Sequence, residues 1–518
     1  MSSTANPDAA DSASSNHREG ENDFRKHCVG LCPLDAKVEP WMVEAISSGT
    51  LAEMIQRHGS PLHLIHPDLM RQNMASLVQC GRERLLDFRV FYAMKANKCS
   101  AFLKTAIDQG LGVDVASLQE LERALEAGAK ANDIVCTAAV KGVNLLRRCS
   151  QQQILTVIDN DDEIISLQSF TTPPPIAIRI SGFHCDGQPL KSRFGFDVSE
   201  IETLLMTLDY HRLNVQGIHF HLHGASIQQR VEALRQSLVI VERFRSAGHA
   251  IRFVDMGGGI PVGYLDQESQ WDDFWIQHGD AMLDRRDAIT HDNHKLGRHI
   301  NGNRIEGVPN VYPCFKGPVG SLWLGELLDT PFENVDSSMS SRSSIGNEFI
   351  RLNLQLRCEP GRSLLDGCGV TLARVEFRKR REDRWLIGLA MNHTQCRTTH
   401  DEHMVDPILI PSAMGTTFRE ASRCASNDEA NDQPIDGYLV GAYCTETDLI
   451  MLRCLHFPKG VRVGDIVMIP NTAGYWMHMM ESPSHQMPLA KNLIWSTGAL
   501  DLTHSSAPTL ANECHTPN

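Results

Sequence analysis

From residue 88 to residue 259 the chain alternates short apolar runs with amphipathic stretches, and this alternation restricts the fold more than any other feature. Residues 88–94 read as a strand. A helix over 100–109 follows, closed by Gly110 and Gly112. A strand over 112–116 leads into Ser117, with Glu120 three residues on. That is a capping box opening a helix over 118–127, which Gly128 stops. Further strands are predicted over 134–136, 155–158, 176–180, 215–222, 251–256 and 349–358, with helices over 199–209 and 227–247. Repeated strand–helix units predict a parallel α/β fold. A span of about 300 residues favours a closed eight-stranded barrel over an open sheet.

The flanks read differently. Residues 1–25 are small, polar and charged, as in a disordered tail. Residues 38–58 read as helical and 61–65 as a strand; 67–77 read as a helix entered through Pro67. Residues 265–345 break the alternation and read as an insertion or lid. Beyond 370, helical periodicity gives way to short strands over 371–378, 384–390, 438–443, 449–454 and 465–469. The expected organisation is a barrel over 60–370 and a β-rich C-terminal domain over 371–505, joined by 26–59. Residues 422–434 read as a surface loop, and those after 503 as a frayed tail.

A net charge of −14 argues against nucleic acid or an anionic membrane as partner. No apolar run approaches the length of a membrane span, and the first twenty residues have no signal-peptide core. The 15 cysteines are scattered and odd in number, which suits free thiols in a reducing compartment. A soluble, cytoplasmic protein is expected. Cys28 with Cys32, and His291 with His294, lack a second pair at metal-site spacing, so no metal is expected.

In a parallel barrel, functional groups gather at the C-terminal ends of strands. Here those ends supply Lys95, Asp114, Arg179, the histidines His219, His221 and His223, the triplet Gly257, Gly258 and Gly259, and Glu359 with Arg362. Burial of a lysine lowers its pKa, and a neutral amine is a nucleophile whose commonest use is a Schiff base. Taken alone, Lys95 reads more simply as a strand end whose amine reaches solvent. Three glycines let backbone N–H groups approach a phosphate with no Cβ in the way, although a triple glycine is by itself more often a tight turn. Arg362 can grip a phosphate with two parallel donors. Glu359 can keep a pyridine nitrogen protonated, which makes the ring an electron sink. A buried Glu–Arg pair alone is more often structural. Together, at successive strand ends, these residues suit a phosphorylated, electron-withdrawing aromatic cofactor.

The chain resembles the fold-type III pyridoxal-phosphate decarboxylases, the group of diaminopimelate, ornithine and arginine decarboxylases. The markers are Tyr92-Ala93-Met94-Lys95-Ala96-Asn97, the stretch from Asp114 to Leu121, Lys191-Ser192-Arg193-Phe194-Gly195, His219-Phe220-His221, Asp255-Met256-Gly257-Gly258-Gly259, Glu359-Pro360-Gly361-Arg362, Cys444 with Asp448, and Gly474-Tyr475. The resemblance runs from about residue 60 to 480. It implies an alanine-racemase-like barrel with a β-domain, pyridoxal 5′-phosphate as cofactor, and a homodimer with shared active sites. It further implies that Lys95 forms the internal aldimine and that His221 stacks on the ring. Gly258, Gly259, Arg362, Tyr475 and Ser226 would lie at the phosphate, and Glu359 at the pyridine nitrogen. Asp114 and Arg179 join the cofactor-binding set. Cys444 would return a proton after loss of CO₂, with Thr445, Glu446 and Asp448 near the substrate.

Three departures mark a divergent branch. The chain reads His221-Leu222-His223-Gly224-Ala225-Ser226 where the family has His-x-Gly-Ser, which affects Ser226. Cys444 is followed by Thr445, and the acid comes one residue later as Glu446; a one-residue shift turns a strand side chain to the other face. The stretch after Tyr475 lacks the usual small-residue pattern. The expected reaction is decarboxylation of a diaminopimelate-like or other diamino or dicarboxylic amino acid. The alternatives are racemisation or other Cα chemistry on the same cofactor, or a decarboxylase-like regulator without catalysis.

Overall fold

The computed structural model describes residues 24–209, 212–315, 317–332, 343–398, 402–412 and 433–501. The expected tail up to residue 23, most of the 422–434 loop and the end of the chain lie outside these residues.

Eight parallel strands close into a barrel: Phe88–Ala93, Gly112–Val115, Ile134–Cys136, Leu155–Ile158, Ile176–Ser181, Val215–His219, Phe253–Asp255 and Gln355–Cys358. The last pairs back onto the first, Leu356 opposite Phe88 and Cys358 opposite Val90. The pleat explains how one strand serves two interiors. Val90 and Tyr92 join the large core between strands and helices. Phe91 points the other way, into a small cluster with Val135, Leu155, Val157, Ala177 and Phe253 that fills the barrel.

Helix starts follow local chemistry. Ser117 accepts from Glu120 N at 3.1 Å, while Glu120 reaches back to Ala116 N at 2.7 Å, one residue short of a full capping box. Asn160 and Ser226 cap the helices Asp161–Gln168 and Ile227–Ser246 in the same way.

Several expected elements are corrected. The strand at 62–65 pairs with Gly369–Arg381 and Lys491–Ile494, so it belongs to the second sheet and not to the barrel range. The run 349–358 divides: Ser344 caps a helix over Ile345–Arg351, and only Gln355–Cys358 is strand. The run 449–454 is not a strand; Leu455–Phe457 is. The single helix at 38–58 is two, Pro40–Ser47 and Leu51–His58, separated by Gly49 at φ +69.

The second sheet has ten strands around the long Gly369–Arg381. The joining segment is stitched into it. Val29–Gly30 pairs with Leu455 and His456. Gly30 N and Leu34 N both donate to Asp406, which the buried Arg453 holds at 2.6 Å.

The 265–345 region has two parts. Helix Gly320–Asp329 places Trp323, Leu324, Leu327 and Leu328 in the main barrel core, so it is an ordinary outer helix. The true addition is the earlier stretch, with helix Glu268–Met282 and the hairpin His299–Asn301 with Arg304–Glu306. Its Phe274, Ile289 and Leu296 pack with Leu34, Tyr264 and Met404, tying the addition to the N-terminal segment and the C-terminal region.

Candidate active site

The strand Phe88–Ala93 ends in a single turn, Met94–Ala96, that presents Lys95 at the barrel mouth. Its Nζ lies 2.8 Å from Asp114 Oδ2, at the end of the neighbouring strand. Asp114 is buried, with 1% of its side chain exposed, whereas 34% of Lys95 is exposed, so the amine remains reachable from the mouth. Thr137 donates to the other Asp114 oxygen at 2.5 Å. Burial acts to lower the lysine pKa, but Asp114 and then Glu359 outweigh it, and the net shift is upward. This overturns the expectation of a neutral amine: without a cofactor, Lys95 is an ammonium paired with Asp114, in the field of Glu359.

A second line of groups crosses the mouth. Arg179 donates from Nε to His219 Nδ1 at 3.2 Å, from Nη1 to Asp159 at 3.2 Å and from Nη2 to Thr137 O at 2.8 Å. With Nδ1 accepting, the proton of His219 sits on Nε2 and points to Glu359 Oε1 at 3.2 Å. Burial first, and then Arg179, hold the His219 pKa well below normal, so the ring is neutral. Burial raises Glu359. Burial, and then Glu359, raise Asp255 well above the usual carboxyl range, and a hydrogen bond links the two carboxyl groups. His219, Asp255 and Glu359 have ligand-type atoms within 4.8 Å of one another. Both imidazole nitrogens are engaged, which leaves no lone pair for a metal.

The glycine triplet follows Phe253–Asp255. Gly257 (φ +65) and Gly259 (φ +91) occupy the left-handed region. A Cβ on Gly258 would lie 2.9 Å from Glu359 O, and one on Gly257 would lie 2.7 Å from Phe220 O. The turn therefore packs against the backbone of both neighbouring strand ends, and Glu359 N donates to Gly257 O at 2.9 Å.

The other expected residues fall into place unevenly. His221 lies just past its strand beside Gly257, and burial, then Lys95, keep it well below the usual imidazole pKa. His223 is exposed. Ser226 caps its helix, accepting from Gln229 N at 3.3 Å. Arg362 donates to Gly474 O at 3.2 Å and Tyr264 Oη at 3.3 Å, and its guanidinium lies 4.0 Å from the Tyr312 ring. Tyr475 N donates to Ala96 O at 2.8 Å, which fixes it next to Lys95.

Cys444, Thr445 and Glu446 stand apart from this cluster, exposed at the tip of a loop. Asp448 is buried at its foot, accepting from Tyr443 N at 2.7 Å, His393 N at 2.8 Å and His393 Nδ1 at 2.6 Å. It braces the loop from below. Thr137, Asp159 and Arg230 are not among the residues the sequence singles out, whereas His219 and Asp255 stand there at strand ends without an assigned role. For Thr137 and Asp159, position just past a strand end is the available signal. Arg230 lies inside a helix, where sequence offers none.

A barrel with a reachable lysine, a glycine turn and a buried carboxyl at adjacent strand ends suits a phosphorylated aromatic cofactor such as pyridoxal phosphate. Comparison with known proteins agrees. Residues 71–291 match the family model described as pyridoxal-dependent decarboxylase, pyridoxal binding domain. An uncharacterized protein of Sinorhizobium fredii is 28% identical over 448 residues, covering 85% of this chain and 88% of its own. A diaminopimelate decarboxylase of Actinosynnema pretiosum is 26% identical over 465 residues, 86% of each chain. In fold, diaminopimelate decarboxylase from Helicobacter pylori complexed with L-lysine superposes with a TM-score of 0.59 at 19% identity, over 85% of this chain and 93% of that one. The chain is similar to the pyridoxal-dependent decarboxylases, through the binding-domain match over residues 71–291 and at low identity along most of its length, and the cofactor of that family is pyridoxal 5′-phosphate.

The residues present fit that cofactor. The glycine turn is open where a Cβ would strike backbone. Glu359 is oriented by His219 and has acceptor capacity to spare. Among the described residues, the buried Arg230 and the half-buried Arg362 carry guanidiniums with no carboxylate within ion-pair distance, as an anion site requires.

Proposed function

We propose that this chain is a pyridoxal-phosphate-dependent amino-acid decarboxylase acting on a diaminopimelate-like or another diamino or dicarboxylic substrate. The observation that carries this reading is the convergence of Gly257–Gly258–Gly259, Glu359, Lys95 and Asp114 at four adjacent strand ends. Lys95 carries the cofactor covalently. Gly258, Gly259, Arg362 and Tyr475 take the phosphate end, and His221 takes a face of the ring. Glu359 takes the ring nitrogen. Bound there, the cofactor supplies an electron sink for the charge left at Cα when CO₂ departs.

The chain's own groups do the rest. Asp114 holds the Lys95 amine at the mouth and is placed to take up its proton. The Arg179–His219 pair presents one N–H to Glu359 and so keeps its carboxylate turned to the site. Tyr475, tied to Ala96, walls the lysine on the side of the second domain.

Cys444 returns a proton to Cα from a second copy of the chain, and Thr445 and Glu446 meet the far end of the substrate. The support for this homodimer with shared sites is the exposure of the loop tip together with the rigid support at its foot. Two measurements test the reading: the visible absorbance of bound pyridoxal phosphate in the purified chain, and CO₂ release across L- and D-amino acids. A chain that carries the cofactor yet releases no CO₂ from any diamino or dicarboxylic acid would sink it.

A further inference from the structure

Arg230 sits in the first turn of helix Ile227–Ser246 and is 1% exposed. Its Nη1 donates to Met256 O at 2.7 Å and Gly258 O at 2.9 Å, and its Nη2 to Gly224 O at 3.3 Å. All three acceptors are neutral backbone oxygens, and Nε has no partner. The guanidinium faces the rings of Trp323 at 5.7 Å and Phe220 at 6.0 Å. A buried cation normally brings its counter-charge with it. This one has none among the described residues, and it stands at the positive end of a helix dipole, where a cation is least welcome. Burial holds its pKa down, at about 10, which still leaves it charged.

The hydrogen bonds explain what it does to the turn. In a trans peptide the carbonyl and the following N–H point in opposite directions. Drawing Gly258 O toward Arg230 turns the N–H of Gly259 to the other side. The same side chain also blocks the space behind Gly259, where a Cβ would collide with Nη2.

We propose that Arg230 is a positioning residue for the cofactor's phosphate: it sets the glycine turn with its N–H groups outward, and the phosphate is its missing counter-charge. The inference rests on the pyridoxal-phosphate reading above. It assigns the arginine a part in anion recognition although the residue need not touch the anion.

The test uses the full chain stripped of cofactor with hydroxylamine, comparing wild type, Arg230→Met and Arg230→Lys. Each is titrated with pyridoxal 5′-phosphate and with pyridoxal, which lacks the phosphate, and the thermal shift with inorganic phosphate is recorded. Arg230→Met is expected to weaken pyridoxal phosphate by at least about 30-fold while pyridoxal changes less than about threefold. Arg230→Lys, which keeps the charge without the fork, is expected to fall between them, and it carries the comparison if the methionine variant fails to fold. Inorganic phosphate should stabilise wild type and not Arg230→Met. Equal losses for both ligands would make the arginine a purely structural brace and overturn the proposal, as would unchanged pyridoxal phosphate affinity. If wild type binds neither pyridoxal compound, the functional reading fails. The phosphate shift then still decides whether Arg230 serves an anion site.

Discussion

At the barrel mouth, Lys95 and the buried Asp114, Thr137, Arg179, Asp159, His219, Glu359 and Asp255 form one connected set of partners within a single chain. The 441–448 loop is built the other way. Its foot is held by Asp448, while Cys444, Thr445 and Glu446 project without cover. A network that answers its own charges can be completed inside one fold, because each buried group is matched before anything binds. A loop braced below and bare above is completed only by what it meets. The contrast divides the chemistry: cofactor-holding groups belong to the mouth, and substrate-facing groups to the loop.

The largest expected effect separates the two regions outright. Lys95→Ala should lose the visible absorbance and essentially all CO₂ release. Cys444→Ala should keep the absorbance and lower kcat by about 100-fold or more. If both variants lose the cofactor band, the division fails. Co-expressing the two variants goes further. With shared sites, mixed dimers regain about a quarter of wild-type activity, since about half the dimers are mixed and each holds one intact site of two. No recovery would place both residues in one chain's own site.

Next in size is the charge on Lys95. Its pKa is raised, so in cofactor-free protein it stays protonated to higher pH than an ordinary lysine. Asp114→Asn removes the nearest carboxylate and leaves burial as the leading influence. The pH at which an acylating reagent reaches half-maximal labelling of Lys95 should then fall by about one unit or more. An unmoved profile would mean that Asp114 does not control the amine.

The smallest effects belong to the loop. Asp448→Asn weakens the hold on Tyr443 N and His393, and should lower kcat severalfold with the cofactor band intact. Glu446→Gln should raise KM for a substrate with a distal ammonium by about tenfold and leave kcat nearly unchanged. A kcat loss without a KM change would move Glu446 from substrate recognition to chemistry.

Much of the site was legible because its signals are local. Apolar runs of strand length fix where strands end, and barrels gather function at those ends. Lys95, Asp114, Arg179, Glu359 and the three glycines could therefore be read residue by residue. The strand at 62–65 was also read correctly as a strand. Its sheet is not legible in the sequence, since pairing with Gly369–Arg381 joins residues some 300 positions apart. The helix at Ile345–Arg351 was hidden in an apolar run that a strand would fit equally well.

What the sequence by itself determined is the kind of molecule: a parallel barrel with a lysine, a glycine turn and an acid at its mouth, because period, turn residues and strand ends are properties of neighbouring positions. Tertiary structure alone decided the state of those groups. It made Lys95 an ammonium, because Asp114 and Glu359 come within reach only when the barrel closes. It turned His219, rather than His221, onto Glu359, and brought Arg230 from inside a helix to the back of the glycine turn. Electrostatic environment depends on distance through space, and no spacing along the chain encodes it.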